Sequence, residues 1–346
     1  MAKPIPDEDL ELILEATRGL WQQMRGERLF LTGGTGFFGC WLLESFLHAN
    51  RTEKLSAQVT VLTRNPEAFL QKCPHVANEP SIDLLQGDVC SFAYPEGEYK
   101  FVIHAATETV SNQTPTGNLD LLSSIVDGTE RVLQFAAGHG CRKLLFTSSG
   151  AVYGKQPSEI THLSESYSGA PDALLEASAY GEGKRMAENL CTLYAAQSQM
   201  ECKIARCFAF VGPHLPLDAH FAVGNFIRDI LRKQPIHISG DGTPMRSYMY
   251  SADLAIWLWV LLFSGQSLRA YNVGSDRAVT ILQLAQEAVT ALGVSNPIEV
   301  ANRAVPGSPI LRYVPDTARA SEELGLQVRV DLRDAIRRTA QWVSAQ

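Results

Sequence analysis

Short apolar runs and amphipathic stretches alternate along the chain as far as residue 207. The runs RLFLTGG, QVTVLTR, IDLLQGD, KFVIHAAT, KLLFTSSG and CKIARCFAFVG read as strands, most of them ending in glycine, a hydroxyl or a charged turn residue. Strands this apolar, separated by helical segments, predict βαβ units and a parallel sheet buried on both faces. The expected class is α/β, a doubly wound parallel sheet followed by a smaller C-terminal α/β lobe.

Ahead of the first strand, DEDLELILEATRGLWQQM places Leu10, Ile13, Leu14, Thr17, Leu20, Trp21 and Met24 at helical spacing. This predicts an amphipathic helix, with Asp7 able to cap it, packing on its own domain. Beyond residue 207 the pattern loosens into Pro- and Gly-containing loops around NFIRDILRKQ and SADLAIWLWVLLF, whose segments are expected to interleave with the first lobe. The run LAIWLWVLLF (254–263) is too short to span a bilayer and reads as a buried helix.

The 346 residues carry a net charge of −7, which offers no basic footprint for nucleic acid or for a membrane surface. An acidic N-terminus without an apolar core predicts a cytoplasmic protein. Cysteines 40, 73, 90, 141, 191, 202 and 207 form no C-x-x-C pair, and the histidines lack metal-site spacing. They read as reduced, mostly buried thiols with no disulfide frame and no metal; His214 and His220, in a Pro-containing loop, are expected at the surface.

FLTGGTGFFGCWLLESFL sets Gly33, Gly36 and Gly39 between a strand and an amphipathic helix. Glycine there allows a tight turn, backbone approach to a pyrophosphate and close helix–sheet packing, with free N–H groups of the helix start facing the phosphates. The motif makes the first lobe a Rossmann-type dinucleotide domain, its loop contacts being Thr35, Phe37 and Phe38 with the glycines. The second strand ends in Thr63-Arg64 without the carboxylate that usually binds the ribose of NAD, which favours NADP(H), with NAD(H) the alternative. Asp88 and Val89 follow the third strand, and Ala105 and Ala106 the fourth, where adenine and phosphates would lie.

Downstream, Tyr180 and Lys184 in AYGEGK stand one helical turn apart, and Ser149 ends the fifth strand. An ammonium beside a phenol favours phenolate, so Tyr180 reads as the acid–base group. Lys184 would also hold the nicotinamide ribose, and Ser149 would bond the substrate oxygen on the reacting carbon.

With TGGTGFFG, GDV, HAA, SSGAVYG, YGEGK, RCFAFVGP, GDGTPMRSYMYSADLA, YNVGS and RYVPDTARASEELGL, the chain resembles the extended short-chain dehydrogenase/reductases, in the branch acting on nucleotide-diphospho-sugars. The resemblance implies an N-terminal extension (1–28), a Rossmann cofactor domain (29–207) and a nucleotide-sugar lobe (208–346). It also implies hydride chemistry at sugar C4 and a homodimer built through the helices beside the Tyr–Lys pair. Dehydratases of this branch carry Asp and Glu, or one Glu, just after the catalytic hydroxyl, and decarboxylating members usually keep a Glu; here stand Gly150 and Ala151. Ile125 replaces a usual Asn, and Ala209 replaces the Asn of RxFN. The resemblance then assigns Asn225, Arg246 and Arg312 to the substrate diphosphate and Glu108 to the sugar. Expected is 4-keto reduction or 4-epimerisation of a nucleotide-sugar; the rivals are a dehydratase with relocated acid–base groups and a non-catalytic nucleotide-binding scaffold.

Overall fold

The computed structural model describes residues 1–107, 115–219 and 221–346; Glu108 and His220 lie outside the described residues. Helix α1 (Asp7–Ala16) opens the chain, and its apolar face packs on two later helices. Asp7 does not cap it: Pro6 holds the N-cap position, and Asp7 is the first of three first-turn acids. Nor does the helix reach Met24. It ends at Ala16 with Thr17 as C-cap, Gly19 turns the chain at φ +82°, and Trp21–Met24 form a single tight 3₁₀ turn.

The first lobe follows as β1 (Arg28–Thr32), α2 (Phe37–Thr52), β2 (Gln58–Thr63), α3 (Pro66–Lys72), α4 (Pro74–Ala77), β3 (Ile82–Gln86) and β4 (Phe101–His104). Then come α5 (Pro115–Gly138), β5 (Lys143–Ser149), α6 (Ala179–Gln197) and β6 (Glu201–Cys207). The sixth apolar run divides, because the chain leaves the sheet at Phe208-Ala209 and resumes as β7 (Phe210–Val211).

The remainder consists of α7 (Ala222–Leu231), β8 (Ile236–Ile238), β9 (Met245–Arg246), β10 (Met249–Tyr250), α8 (Ser251–Ser264) and β11 (Ala270–Val273). It ends with β12 (Val279–Thr280), α9 (Ile281–Leu292), β13 (Ile298–Val300), β14 (Arg312–Tyr313), α10 (Ala318–Leu324) and α11 (Leu332–Ser344). The main sheet runs β11-β6-β5-β4-β1-β2-β3, all parallel. Strand β11 and helix α8 thus return from the later part of the chain to complete the first lobe.

Alternation along the strands sorts their side chains into two cores. Leu29, Leu31, Val59, Val61 and Ile103 face the α1–α2–α8 side, whereas Phe30, Val102, Leu144 and Phe146 face α5 and α6. Helix α8 is buried nearly all round, which explains its continuous apolar run. Among the described residues no helix is long and apolar enough to cross a membrane. The strand order reverses between β1 and β4, which opens a crevice at their C-terminal ends.

Candidate active site

At that crevice lies a cavity of about 1340 Å³. Its floor is the glycine loop, where Gly33 adopts φ +73° and a β-carbon would fall 2.4 Å from the Ala105 carbonyl oxygen. Gly39 does not line the cavity; a β-carbon there would meet the Gly34 backbone at 2.3 Å, so it lets α2 start close against the loop. Gly36 is the N-cap of α2, and Thr35, Gly36, Phe37 and Phe38 border the open space. A bare backbone cradle at a helix start suits a pyrophosphate, and Lys72, bonded to the Thr35 carbonyl at 2.9 Å, adds positive charge. Thr63, Arg64, Asp88, Val89, Ala105 and Ala106 line the same cavity.

The end of β5 separates two adjacent serines. Ser148 Oγ donates to Glu188 Oε1 at 2.5 Å, and Glu188 is held bidentately by Arg206 at 2.9 and 2.7 Å. Ser148 is therefore committed to a structural ion pair. Ser149 Oγ instead accepts the Ala151 N–H at 3.1 Å, and Ser149 lines the cavity with Tyr180 and Tyr313.

Lys184, on α6, is buried; its Nζ donates to Thr107 Oγ1 at 2.6 Å and to the Thr147 carbonyl at 2.9 Å. Burial pulls its pKa down to about 8. Burial pushes Tyr180 up to about 12, against a smaller lowering by the nearby Ser149 hydroxyl. The direct phenol–ammonium coupling expected from their spacing is absent here. Lys184 Nζ lies 6.0 Å from the Tyr180 ring centre and spends its protons on Thr107 and Thr147. Beneath them His104 is a neutral strut, its pKa lowered to about 3 by burial; its ring nitrogens bond Thr32 at 2.7 Å and Thr129 at 3.0 Å. Thr32 Oγ1 in turn accepts the Ala106 N–H, which fixes the backbone at that wall of the cavity.

Of the residues assigned to the substrate, Ser149 and Arg246 line the cavity. Asn225 and Arg312 do not. Asn225 turns its carbonyl to Arg228, 3.2 Å away, and Arg312 turns its guanidinium onto the Met245 sulfur. Glu108 is outside the described residues. Sequence reasoning missed Phe208, Tyr248, Thr107 and Tyr313, which also line it. The RYVPD motif held the signal for Tyr313, but it was attached to the neighbouring arginine. His214, expected at the surface, is buried, with Nε2 bonded to Glu44 at 3.1 Å.

A parallel sheet with a glycine loop at its switch point, and Ser149, Tyr180 and Lys184 converging beside that loop, define a nicotinamide-dependent enzyme of the extended short-chain dehydrogenase/reductase type. The model of the NAD-dependent epimerase/dehydratase family matches residues 29–274, and the chain belongs to that family. It is 30% identical over 311 residues to UDP-glucuronic acid decarboxylase 1 of Arabidopsis thaliana, covering 90% of this chain and 68% of that protein. Its fold matches UDP-glucuronic acid 4-epimerase of Bacillus cereus, solved with UDP-glucuronic acid and NAD, at a TM-score of 0.77 and 20% identity over 92% of this chain and 99% of that one. It also matches a dTDP-glucose 4,6-dehydratase of Streptomyces venezuelae, solved with NAD, at a TM-score of 0.77 and 23% identity over 92% and 97% of the two chains.

Proposed function

We propose that the protein is an NAD-dependent nucleotide-diphospho-sugar 4-epimerase, with a homodimer as the working unit. The observation that carries this reading is the closed space at Gly150. A β-carbon there would lie 2.7 Å from both the Tyr313 hydroxyl and the Phe208 ring, and Ala151 follows. Neither position transfers a proton, so the elimination of water across C5 and C6 lacks its acid–base pair. Oxidation and return of hydride at C4 need only Ser149, Tyr180 and Lys184.

The cofactor supplies the hydride acceptor and donor. Tyr180 takes the C4 hydroxyl proton as the phenolate while hydride leaves C4 and returns that proton as the phenol when hydride comes back, and Ser149 holds that oxygen. Lys184, anchored by Thr107 and Thr147, sets the charge beside them and reaches the cofactor ribose. Arg246 binds the substrate diphosphate from the C-terminal lobe. The cavity has room for both ligands, and among the described residues Arg64, Lys72, Lys184 and Arg246 outnumber Asp88 and Asp218 along it, which suits two diphosphates.

NAD is preferred over the NADP(H) expected from Thr63-Arg64. The family description and the two neighbours solved with NAD support it. A second reading is decarboxylation of a nucleotide-glucuronic acid, favoured by the similarity to UDP-glucuronic acid decarboxylase 1. Oxidation at C4 makes the C6 carboxylate that of a β-keto acid, which releases carbon dioxide without an added base. Incubation with a panel of nucleotide-sugars, read by mass spectrometry and NMR, decides. An unchanged mass with an inverted C4 signal is expected. Loss of carbon dioxide establishes the second reading, loss of water a dehydratase, gain of two hydrogens a net reductase, and no change with any sugar a scaffold.

A further inference from the structure

Beside the phosphate loop, among residues that do not line the cavity, three segments bring sulfur and imidazole together. Cys40 follows Gly39 on α2, Cys73 joins α3 to α4, and His214 follows β7. The two Sγ atoms and one ring nitrogen of His214 all lie within 4.8 Å of one another, and all three residues are buried. None of them belongs to the hydride chemistry.

The His214 ring is held as a ligand would be. Its Nε2 bonds Glu44 Oε1 at 3.1 Å, while the buried Nδ1 has no hydrogen-bond partner among the described residues. A ring that donates from Nε2 to a carboxylate presents a bare lone pair at Nδ1, the arrangement that orients metal-binding histidines. Leaving that lone pair buried and unmatched is costly. The backbone at His214 adopts φ +68°, a conformation non-glycine residues rarely take, and Trp41 Nε1 pins the preceding Pro213 carbonyl at 2.9 Å. The Glu44 carboxylate is itself fixed by the Ile5 N–H at 2.7 Å and faces His75 at 3.2 Å.

We propose that Cys40, Cys73 and His214 form a zinc site that clamps the phosphate loop. Two thiolates and one imidazole are a borderline-soft donor set suited to Zn²⁺, and their two negative charges match the cation. Bonds of about 2.3 Å to sulfur and 2.1 Å to nitrogen place tetrahedral ligands roughly 3.5–3.8 Å apart, so the cluster needs to contract by only about 1 Å. Binding displaces two thiol protons to solvent. The ion would join α2, the α3–α4 junction and the loop leading to Leu215, which lines the cofactor cavity. Lys72, 3.9 Å from Cys40 Sγ, connects the same cluster to Thr35.

The full-length protein, reduced and stripped by a chelator, is titrated with Zn²⁺ against a chromophoric competitor and with Co²⁺ by absorption. Expected are one ion per chain and, with cobalt, the thiolate charge-transfer and intense d–d bands of tetrahedral sulfur coordination. Cys73→Ala removes those bands, His214→Gln weakens zinc by at least a hundredfold, and Glu44→Gln weakens it by roughly 10–100-fold through the ring it orients. Cys40 adjoins the phosphate loop, so Cys73→Ala and His214→Gln, checked for folding by circular dichroism, decide the matter. Zinc that fails to bind stoichiometrically, or binds these variants as it binds wild type, overturns the proposal. The readout is metal binding alone, independent of any sugar turned over.

Discussion

The Tyr313 hydroxyl stands 2.7 Å from where a β-carbon on Gly150 would project. The two residues are far apart in sequence, yet together they close the place where dehydratases of this fold keep a carboxylate. Gly150→Asp should therefore not restore water elimination. It should overpack the site at a cost of about 1–3 kcal/mol, because the Phe208 ring, also 2.7 Å away, must shift with Tyr313. A thermal melt should show a fall in Tm, and mass spectrometry no dehydrated product. A variant as stable as wild type would mean that the space is open.

Tyr180 is the proposed proton carrier, and it lines the cavity together with Ser149. Tyr180→Phe keeps the ring and removes the proton, so turnover should drop by roughly two to four orders of magnitude while NAD affinity holds. Single-turnover kinetics beside a cofactor titration checks both halves. Near-normal turnover would place the acid–base role elsewhere.

Lys184 carries a pH signature. Burial lowers its pKa to about 8, so the ammonium that holds Thr107 and Thr147 is present below that pH and lost above it. The free enzyme's kcat/KM should fall as pH rises through about 8. Lys184→Arg keeps its charge across this range, so that limb should vanish even where the rate is lower. An alkaline limb unchanged in the variant would assign it to another group.

Local pattern carried the sheet and the strand ends that line one side of the cavity, since the glycine loop, Thr63-Arg64 and Asp88 all follow successive strands of a βαβαβ run. Ser149, Tyr180 and Lys184 were equally legible, from a strand end and a helical i, i+4 pair. The substrate side was not. In the two-residue strand β14, alternation sends Tyr313 into the cavity and Arg312 onto Met245, and a motif alone does not say which neighbour faces inward. Asn225 was misplaced for a similar reason: on α7 its amide is one turn from Arg228, which takes it. His214 sits in a loop without periodicity, so nothing in the linear pattern marked it as buried beside two distant cysteines.

Helices α5 and α6 pack on each other and leave Leu119, Met186 and Leu193 exposed, with Leu122 and Val126 along the groove between them. A second copy of the same pair would cover this apolar face in a four-helix contact. Light scattering at micromolar concentration should report a dimer, and Met186→Glu should shift it toward monomer by placing a charge in the contact. A wild-type monomer would rule the dimer out.

The cofactor prediction bears most directly on the reaction. An epimerase returns the hydride it takes, so one oxidised cofactor serves many turnovers, whereas a net reductase must exchange it each time. Arg64 is exposed at the end of β2, at the edge of the cavity. If the cofactor is NAD, its guanidinium serves the adenine face, an interaction of about 0.5–1 kcal/mol at an exposed site. Arg64→Ala should then weaken NADH and NADPH alike, by less than about tenfold. A 2′-phosphate partner would behave differently, because losing its charge-assisted bond costs NADPH roughly ten- to a hundredfold and spares NADH. Titrating both cofactors against wild type and variant separates the cases. Tighter NADH binding in wild type, with an even loss in the variant, supports the epimerase; tighter NADPH binding, lost selectively in Arg64→Ala, would return the enzyme to the reductases.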